Sequence, residues 1–349
     1  MREVEPPVGG RVTLMVGLLA LVAAAGVQAA DPDRGWTFLV DKLERDGIPR
    51  DRAERVFRDE RVDEFDGLSF SLQPRESQLL YRNLRTRATA GRARLCIAEH
   101  GAAFEEAQER YGVPANVVAA IIQVESGCGR NTGRSRILPG LARLAMAAEP
   151  ENLERNIARH TLLDMDRSET SIASWTRWRG QALEDMFYPE VRATFDIADR
   201  IHVDPLEIRG SGSGAFGIPQ FLPRSYLWFG VDGDQDGHVD LYDPDDAIPS
   251  CAHYLQYYGW RPGLSRSERQ NVIWGYNHSD AYINTILWVA GEVGSPTPEP
   301  PEKARKAVQL ASRRKTTKTT RTATKTTKAT TKSKATSAKR RTSTKTTHR

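Results

Sequence analysis

Residues Val117–Arg130 read VVAAIIQVESGCGR, and the rest of the chain is organised around them. Val118, Ile121, Ile122 and Glu125 fall at i, i+3, i+4 and i+7, which places three aliphatic side chains and one carboxylate on a single helical face. Pro114 suits the first turn, where a missing N–H costs nothing. Gly127 and Gly129 stop the helix just past the glutamate. Apolar neighbours and the negative end of the helix both disfavour a charge at Glu125. Its pKa should therefore rise, so that it keeps a proton near neutrality and can donate it as a general acid. The competing reading is a glutamate that frays into solvent at a helix end, and the flanking chain has to decide.

Working outward, the pattern stays helical. Trp36, Leu39, Val40 and Leu43 have helical spacing, as do Ala53, Val56 and Phe57, so residues 31–95 read as a small helical region. Gln73–Thr86 is polar and reads as a surface crossing. Phe104–Tyr111 predicts a helix packed ahead of the organising one. Amphipathic helices are expected at Leu153–Met165, Ile172–Trp178, Val191–Ile201 and Ala247–Trp260, and Asn271–Gly291 reads as an aromatic turn followed by an apolar helix. Strand alternation is scarce, and the fold class is mainly α.

Three further segments carry chemistry. Gly210–Tyr226, GSGSGAFGIPQFLPRSY, has four glycines in eight positions, which lets a backbone approach a ligand closely. It lacks the G-K-[ST] ending of a phosphate loop and does not open a helix after a strand. Phe216, Ile218, Gln220 and Phe221 suit a sugar better. Asp232–Asp246, DGDQDGHVDLYDPDD, has the spacing of an EF-hand-like calcium loop. Asp232, Asp234 and Asp236 stand at positions 1, 3 and 5, Gly237 at 6, and the His238 carbonyl at 7. Asp243 occupies position 12, and Asp246 reaches the ion if the loop is longer. Such an ion would clamp the fold, since coordination occupies these carboxylates. Gly275–Tyr282, GYNHSDAY, places Tyr276, Asn277, His278 and Ser279 at a helix start, where N-capping also favours polar residues.

Charge is unevenly distributed. The net charge is +5, yet residues 301–349 hold 17 Lys+Arg against the single acid Glu302, so the remaining 300 residues carry a balance of −11. The basic character belongs to a tail, which follows the prolines at 296, 298, 300 and 301 and is too poor in apolar residues to fold. With no aromatics to stack on bases, it implies no specific nucleic-acid reading. Loose attachment to an anionic envelope polymer or surface fits better. At the other end, Arg2 and Arg11 precede the apolar run Val12–Val27 and the small residues VQAA, an export signal over residues 1–30. The run is short for a ~20-residue membrane span. An exported, periplasmic protein, monomeric and either soluble or loosely held at the envelope, is expected. Cys96, Cys128 and Cys251 allow at most one internal disulfide, and the sequence does not choose the pair.

Taken in order, YGVPANVVAAIIQVESGCGRNTGRSRIL (Tyr111–Leu138), DPLEIRGSGSGAFGIPQFLPRSY (Asp204–Tyr226), the calcium loop with its DPDDAI continuation, and GYNHSDAY resemble the membrane-bound lytic transglycosylase B family. The resemblance implies a lysozyme-like helical catalytic domain over residues 96–294, after the helical region and before the tail at 295–349. It implies cleavage of the MurNAc–GlcNAc bond of peptidoglycan glycan strands without water, leaving a 1,6-anhydro-muramoyl end. By the same resemblance Glu125 is the catalytic acid. Ser211 and Asn277 position the muramoyl N-acetyl group, and Gln220, Tyr276 and Tyr282 hold the glycan. Asp232, Asp234, Asp236, His238 and Asp246 match the calcium ligands. Three departures stand out: ESGCGR replaces the family's usual ETRWGR, only Arg261–Gln270 fills the place of a small β insert, and the basic tail has no counterpart. A hydrolase of muramidase type, a non-catalytic cell-wall binder of the same fold and a dockerin-like calcium module are the competing readings. Ordinary glycosidases use two carboxylates, and the matched blocks offer one.

Overall fold

The computed structural model of the chain describes residues 33–73, 78–164 and 166–295. The expected export signal and the basic tract lie outside the described residues.

The organising helix is Ala115–Ser126 (α6), with Pro114 as its N-cap. Val117 through Ile122 are all buried. The spacing predicts one apolar face, but the helix is covered on every side. An apolar run of this kind is stable only inside other elements. Those elements are Arg87–Glu99 (α4), Gly101–Tyr111 (α5) and Pro244–Tyr257 (α11), each packed against it.

The predicted segments Ile172–Trp178 and Val191–Ile201 are parts of one helix, Glu169–Arg200 (α9), 32 residues long and capped by the Ser168 hydroxyl. Pro189 lies inside it. An interior proline costs about 3 kcal/mol. Burial of Val191, Phe195, Ile197 and Ala198 just beyond it contributes about 1.5–3 kcal/mol for each large side chain, so packing carries the helix through. Ile137–Ala145 (α7), Pro150–Leu163 (α8) and Pro223–Phe229 (α10) pack on α9.

The helices Thr37–Arg45 (α1) and Arg50–Phe57 (α2) pair with each other around Trp36, which stacks on Phe57. They are tied to α9 by ion pairs of Lys42 with Glu184 and of Arg52 with Asp199. Gln73–Thr86, read as a polar surface crossing, contains a short helix, Gln78–Arg82 (α3), with consequences for the site. Arg266–Tyr276 (α12) begins at a capping box between Ser265 and Glu268, and Asp280–Gly294 (α13) follows after a three-residue break. The strands among the described residues are Ser135–Arg136 (β1) and Arg209–Gly210 (β2), paired antiparallel with Ser135 opposite Gly210. That small ladder joins the chain leaving α6 to the start of the glycine-rich segment.

Candidate active site

Glu125 is the penultimate residue of α6. Gly127, in the left-handed conformation (φ 65°), ends the helix, with its N–H donated to the Gln123 carbonyl and the Cys128 N–H to that of Ile122. Ser126 reinforces the end: its hydroxyl donates to the Ile218 carbonyl at 2.7 Å and accepts the Gly129 N–H at 2.9 Å. The carboxylate is thus held on a terminated helix and is not left to fray. Desolvation raises its pKa from 4.5 to about 7, opposed by a hydrogen bond from the Tyr282 hydroxyl to Oε1 at 2.6 Å.

Tyr282 comes from the first turn of α13 and is 1% exposed. Its position follows from the break between α12 and α13. Asn277 is extended (φ −149°, ψ 124°), and the Ser279 hydroxyl accepts the Tyr282 N–H. Tyr276 closes α12, donates its hydroxyl to the Pro219 carbonyl, and lies parallel to Tyr282 with centroids 6.4 Å apart. Burial pushes the phenols of Tyr276 and Tyr282 well above the usual value, so both remain protonated donors. His278 is exposed and stacks on Trp274.

Tyr81, which the sequence reading missed, stands in the same wall. Its hydroxyl accepts from Asn277 Nδ2 at 3.3 Å, and its ring meets Tyr282 edge-on at 5.4 Å. Arg85, just beyond, donates Nε to the Thr285 hydroxyl of α13 at 2.9 Å. No catalytic motif surrounds Tyr81. Its signal was an aromatic residue in a segment otherwise read as polar surface.

The glycine-rich segment packs against the end of α6, where the Ile218 carbonyl accepts the Ser126 hydroxyl. The Ser211 hydroxyl accepts the Ala215 N–H at 3.0 Å, and Phe216 pairs with Phe221 across the turn. Gln220, at a positive φ of 52°, spends its amide N–H groups on the carbonyls of Thr132 and Gly217. It therefore braces the loop, with its side-chain carbonyl left over. Two glycines outside the motif permit this packing. A Cβ on Gly133 would stand 2.1 Å from the Gly210 carbonyl oxygen, and one on Gly140 of α7 would stand 2.1 Å from that of Gly212. Beyond the loop, buried Glu190 of α9 accepts both N–H and Nε–H of Arg224 and fixes the start of α10.

In the aspartate-rich loop, carboxylate oxygens of Asp232, Asp234 and Asp246 lie within 4.8 Å of one another. Asp232 accepts the N–H groups of Asp236 and Gly237, which curls the loop. Asp246 is buried and takes the Gly233 and Asp240 N–H groups on its two oxygens. Asp236 and His238 are exposed on the same turn, with Asp236 Oδ1 accepting the His238 N–H. Asp243, expected at coordination position 12, instead caps α11 by accepting the Asp245 N–H. The proline at the first position of α11 makes the capping role the local preference there. No Lys or Arg pairs with Asp232, Asp234 or Asp246 among the described residues, so the converging negative charge fits a bound cation.

A carboxyl raised to about 7 at the end of a buried helix, with a buried tyrosine hydroxyl donating to it, can hold and release a proton near neutrality, which is what acid–base work requires. The fold is that of lytic transglycosylases. The structure of the Escherichia coli lytic transglycosylase SLT35 in complex with bulgecin A overlays with a TM-score of 0.54 at 23% identity, covering 74% of this chain and 92% of that one. SLT35 has also been solved in complex with calcium. SltB3 from Pseudomonas aeruginosa, in complex with NAG-anhNAM-pentapeptide, overlays at 0.53 with 18% identity, covering 74% and 79%. The Transglycosylase SLT domain family model matches residues 33–270, and the chain belongs to that family. The membrane-bound lytic murein transglycosylase B of Escherichia coli K12 is 34% identical over 161 residues, 46% of this chain and 36% of that protein. The match thus spans about a third of the curated relative's length.

Proposed function

We propose that this chain is a lytic transglycosylase that cleaves the MurNAc–GlcNAc bond of peptidoglycan and leaves a 1,6-anhydro-muramoyl end. The observation that carries the reading is the Glu125–Tyr282 pair, a carboxyl poised at about pH 7 with one oxygen engaged by a buried phenol. Glu125 donates its proton to the glycosidic oxygen as the bond to the muramoyl anomeric carbon breaks. The substrate's N-acetyl carbonyl stabilises the positive charge there, and Tyr282 stabilises the carboxylate left behind. That carboxylate then takes the proton from the muramoyl C6 hydroxyl, whose oxygen closes on the anomeric carbon. The proton returns to Glu125 and no water is consumed, so one carboxylate suffices where hydrolysis uses two.

Asn277 and Ser211 are suited to orient the N-acetyl group, while Tyr276 and Tyr81 shape the wall against which the sugar lies. Asp232, Asp234 and Asp246, with the exposed Asp236 and the His238 carbonyl beside them, would hold a calcium ion that clamps the loop to α11 and supplies no chemistry to the sugar. The apolar run after Arg11 supports export to the periplasm, and the Lys/Arg-rich residues 301–349 support loose attachment to anionic envelope polymer. Among the described residues, no helix is long and apolar enough to cross a membrane.

Mass spectrometry of sacculi digested by the protein tests the proposal. Anhydro-muramoyl ends are expected. Reducing ends would make the chain a muramidase-type hydrolase with water as the attacker, and binding without released product would leave a cell-wall-binding protein of the same fold.

A further inference from the structure

Three exposed aromatic side chains gather at the ends of two helices. Trp228, in the last turn of α10, is 58% exposed; Tyr257, which closes α11, and Tyr258, just after it, are 70% and 41% exposed. All three meet one buried ring, Phe229, whose centroid lies 6.2, 5.0 and 6.1 Å from those of Trp228, Tyr257 and Tyr258. Tyr257 and Tyr258 also meet edge-on at 5.4 Å, and the Arg224 guanidinium, held by Glu190, lies 5.1 Å over the Trp228 ring. Large rings left in water as one contiguous patch mark an interaction surface. The patch is joined to the candidate active site ring by ring. Tyr258 stacks on Tyr254 at 4.6 Å, Tyr254 meets Tyr276 at 4.8 Å, and Tyr276 lies parallel to Tyr282, the donor to Glu125. Gly275 permits the junction: its carbonyl accepts the Tyr254 hydroxyl, and a Cβ there would stand 2.8 Å from the Tyr258 ring.

We propose that Trp228, Tyr257 and Tyr258 form an outer docking surface for the glycan strand, gripping sugars beyond those at the cleavage point; this rests on the reading of Glu125 as the acid that cuts that strand. A pyranose ring has apolar C–H faces and a rim of hydroxyls. Its faces pack against aromatic rings, while the tyrosine hydroxyls and the indole N–H reach the rim. Tyr and Trp are stiff, so holding a sugar costs them little entropy. A β-1,4-linked strand is an extended polymer, and a surface continuous with the cleavage site meets the same strand. An anionic lipid surface fits poorly, because the aspartate-rich loop opens at Asp232, four residues after Trp228. The sugar rings themselves carry no charge and escape that repulsion.

The test compares the full chain with its Trp228→Ala/Tyr257→Ala variant on two substrates: uncrosslinked glycan strands freed from sacculi by an amidase, and the same strands trimmed to two disaccharide repeats. Binding is read separately, with Glu125→Gln added to both proteins so that nothing is turned over. Binding to long strands should weaken about tenfold, with KM on them rising to match. Turnover of the short glycan and the Tm should stay unchanged. Undiminished binding of long strands by the variant would overturn the docking surface, while turnover by the parent keeps the cleavage reading in place. A parent that turns over neither substrate removes the cleavage reading, and the binding difference still decides the surface. Equal losses on both substrates would show that the rings only shape the acid site. A fall in molar mass by light scattering in the variant would make the patch a self-association face, and either result overturns the proposal. Should the double variant not fold, Tyr257→Ala alone should show the same loss at smaller size, and no loss there would overturn it too.

Discussion

Replacing Tyr282 with phenylalanine removes one oxygen atom from the molecule, and that oxygen donates to Glu125 Oε1 at 2.6 Å. The hydrogen bond favours the charged form of the carboxyl, against a desolvation that holds the pKa near 7. A hydrogen bond to a charged group contributes about 1.5–3 kcal/mol. At about 1.4 kcal/mol per pKa unit, its loss should carry Glu125 up by about one to two units. An acid acts only while protonated, so the rate of the parent protein should fall as pH rises through about 7. In Tyr282→Phe that alkaline limb should move up, to about pH 8–9. The plateau should fall as well, by up to about a hundredfold, since the carboxylate forming in the transition state loses the same donor. The assay is kcat/KM for release of soluble muropeptides from purified sacculi, followed from pH 5 to pH 10. The phenylalanine keeps the buried ring, so an accompanying melting curve should stay cooperative. An alkaline limb that stays in place or moves down would refute the assignment of Tyr282 as the group that tunes the acid.

Glu125→Gln should abolish turnover while leaving sacculus binding intact, and retained rate would remove Glu125 from the chemistry. The same variant tests burial. A carboxyl raised from 4.5 to about 7 makes the folded protein bind a proton that the unfolded chain has released, so stability falls as pH rises across that window, by up to about 3 kcal/mol. Urea midpoints of the parent and variant should therefore diverge between pH 4.5 and 8 in favour of Gln, and parallel curves would count against desolvation. Calcium should raise the Tm of the parent protein and chelation should lower it. Asp246→Asn should lose that calcium response, and because a buried acceptor then faces a donor, its calcium-free form should also be less stable by about 1–3 kcal/mol. Gly140→Ala opposes two effects: helix propensity favours Ala by about 1 kcal/mol, but the new Cβ would meet the Gly212 carbonyl at 2.1 Å. Overpacking of this kind costs about 1–3 kcal/mol, so Tm and activity should both drop; a rise in Tm would show that the glycine loop yields freely.

The sequence by itself determined the parts that are local. A helix ending in a glycine turn after Glu125 is dictated within a dozen residues, because hydrophobic spacing and left-handed glycine are properties of a short stretch. The curl of the aspartate loop is equally local, since its carboxylates accept N–H groups two to five residues away. What the tertiary structure alone decided depends on residues distant in the chain. Periodicity could not reveal that α6 is enclosed on all sides, nor that α9 runs through Pro189, because both outcomes rest on burial against other elements. Asp243 fitted a coordination spacing, yet the helix that starts beside it takes its carboxylate as a cap. Tyr282 reads as a residue that holds the glycan until the break between α12 and α13 brings its hydroxyl onto a carboxylate 157 positions earlier. Tyr81 enters the site from a segment that looks like surface. Proton affinity is set by what surrounds an atom in space, and only the folded chain brings those surroundings together.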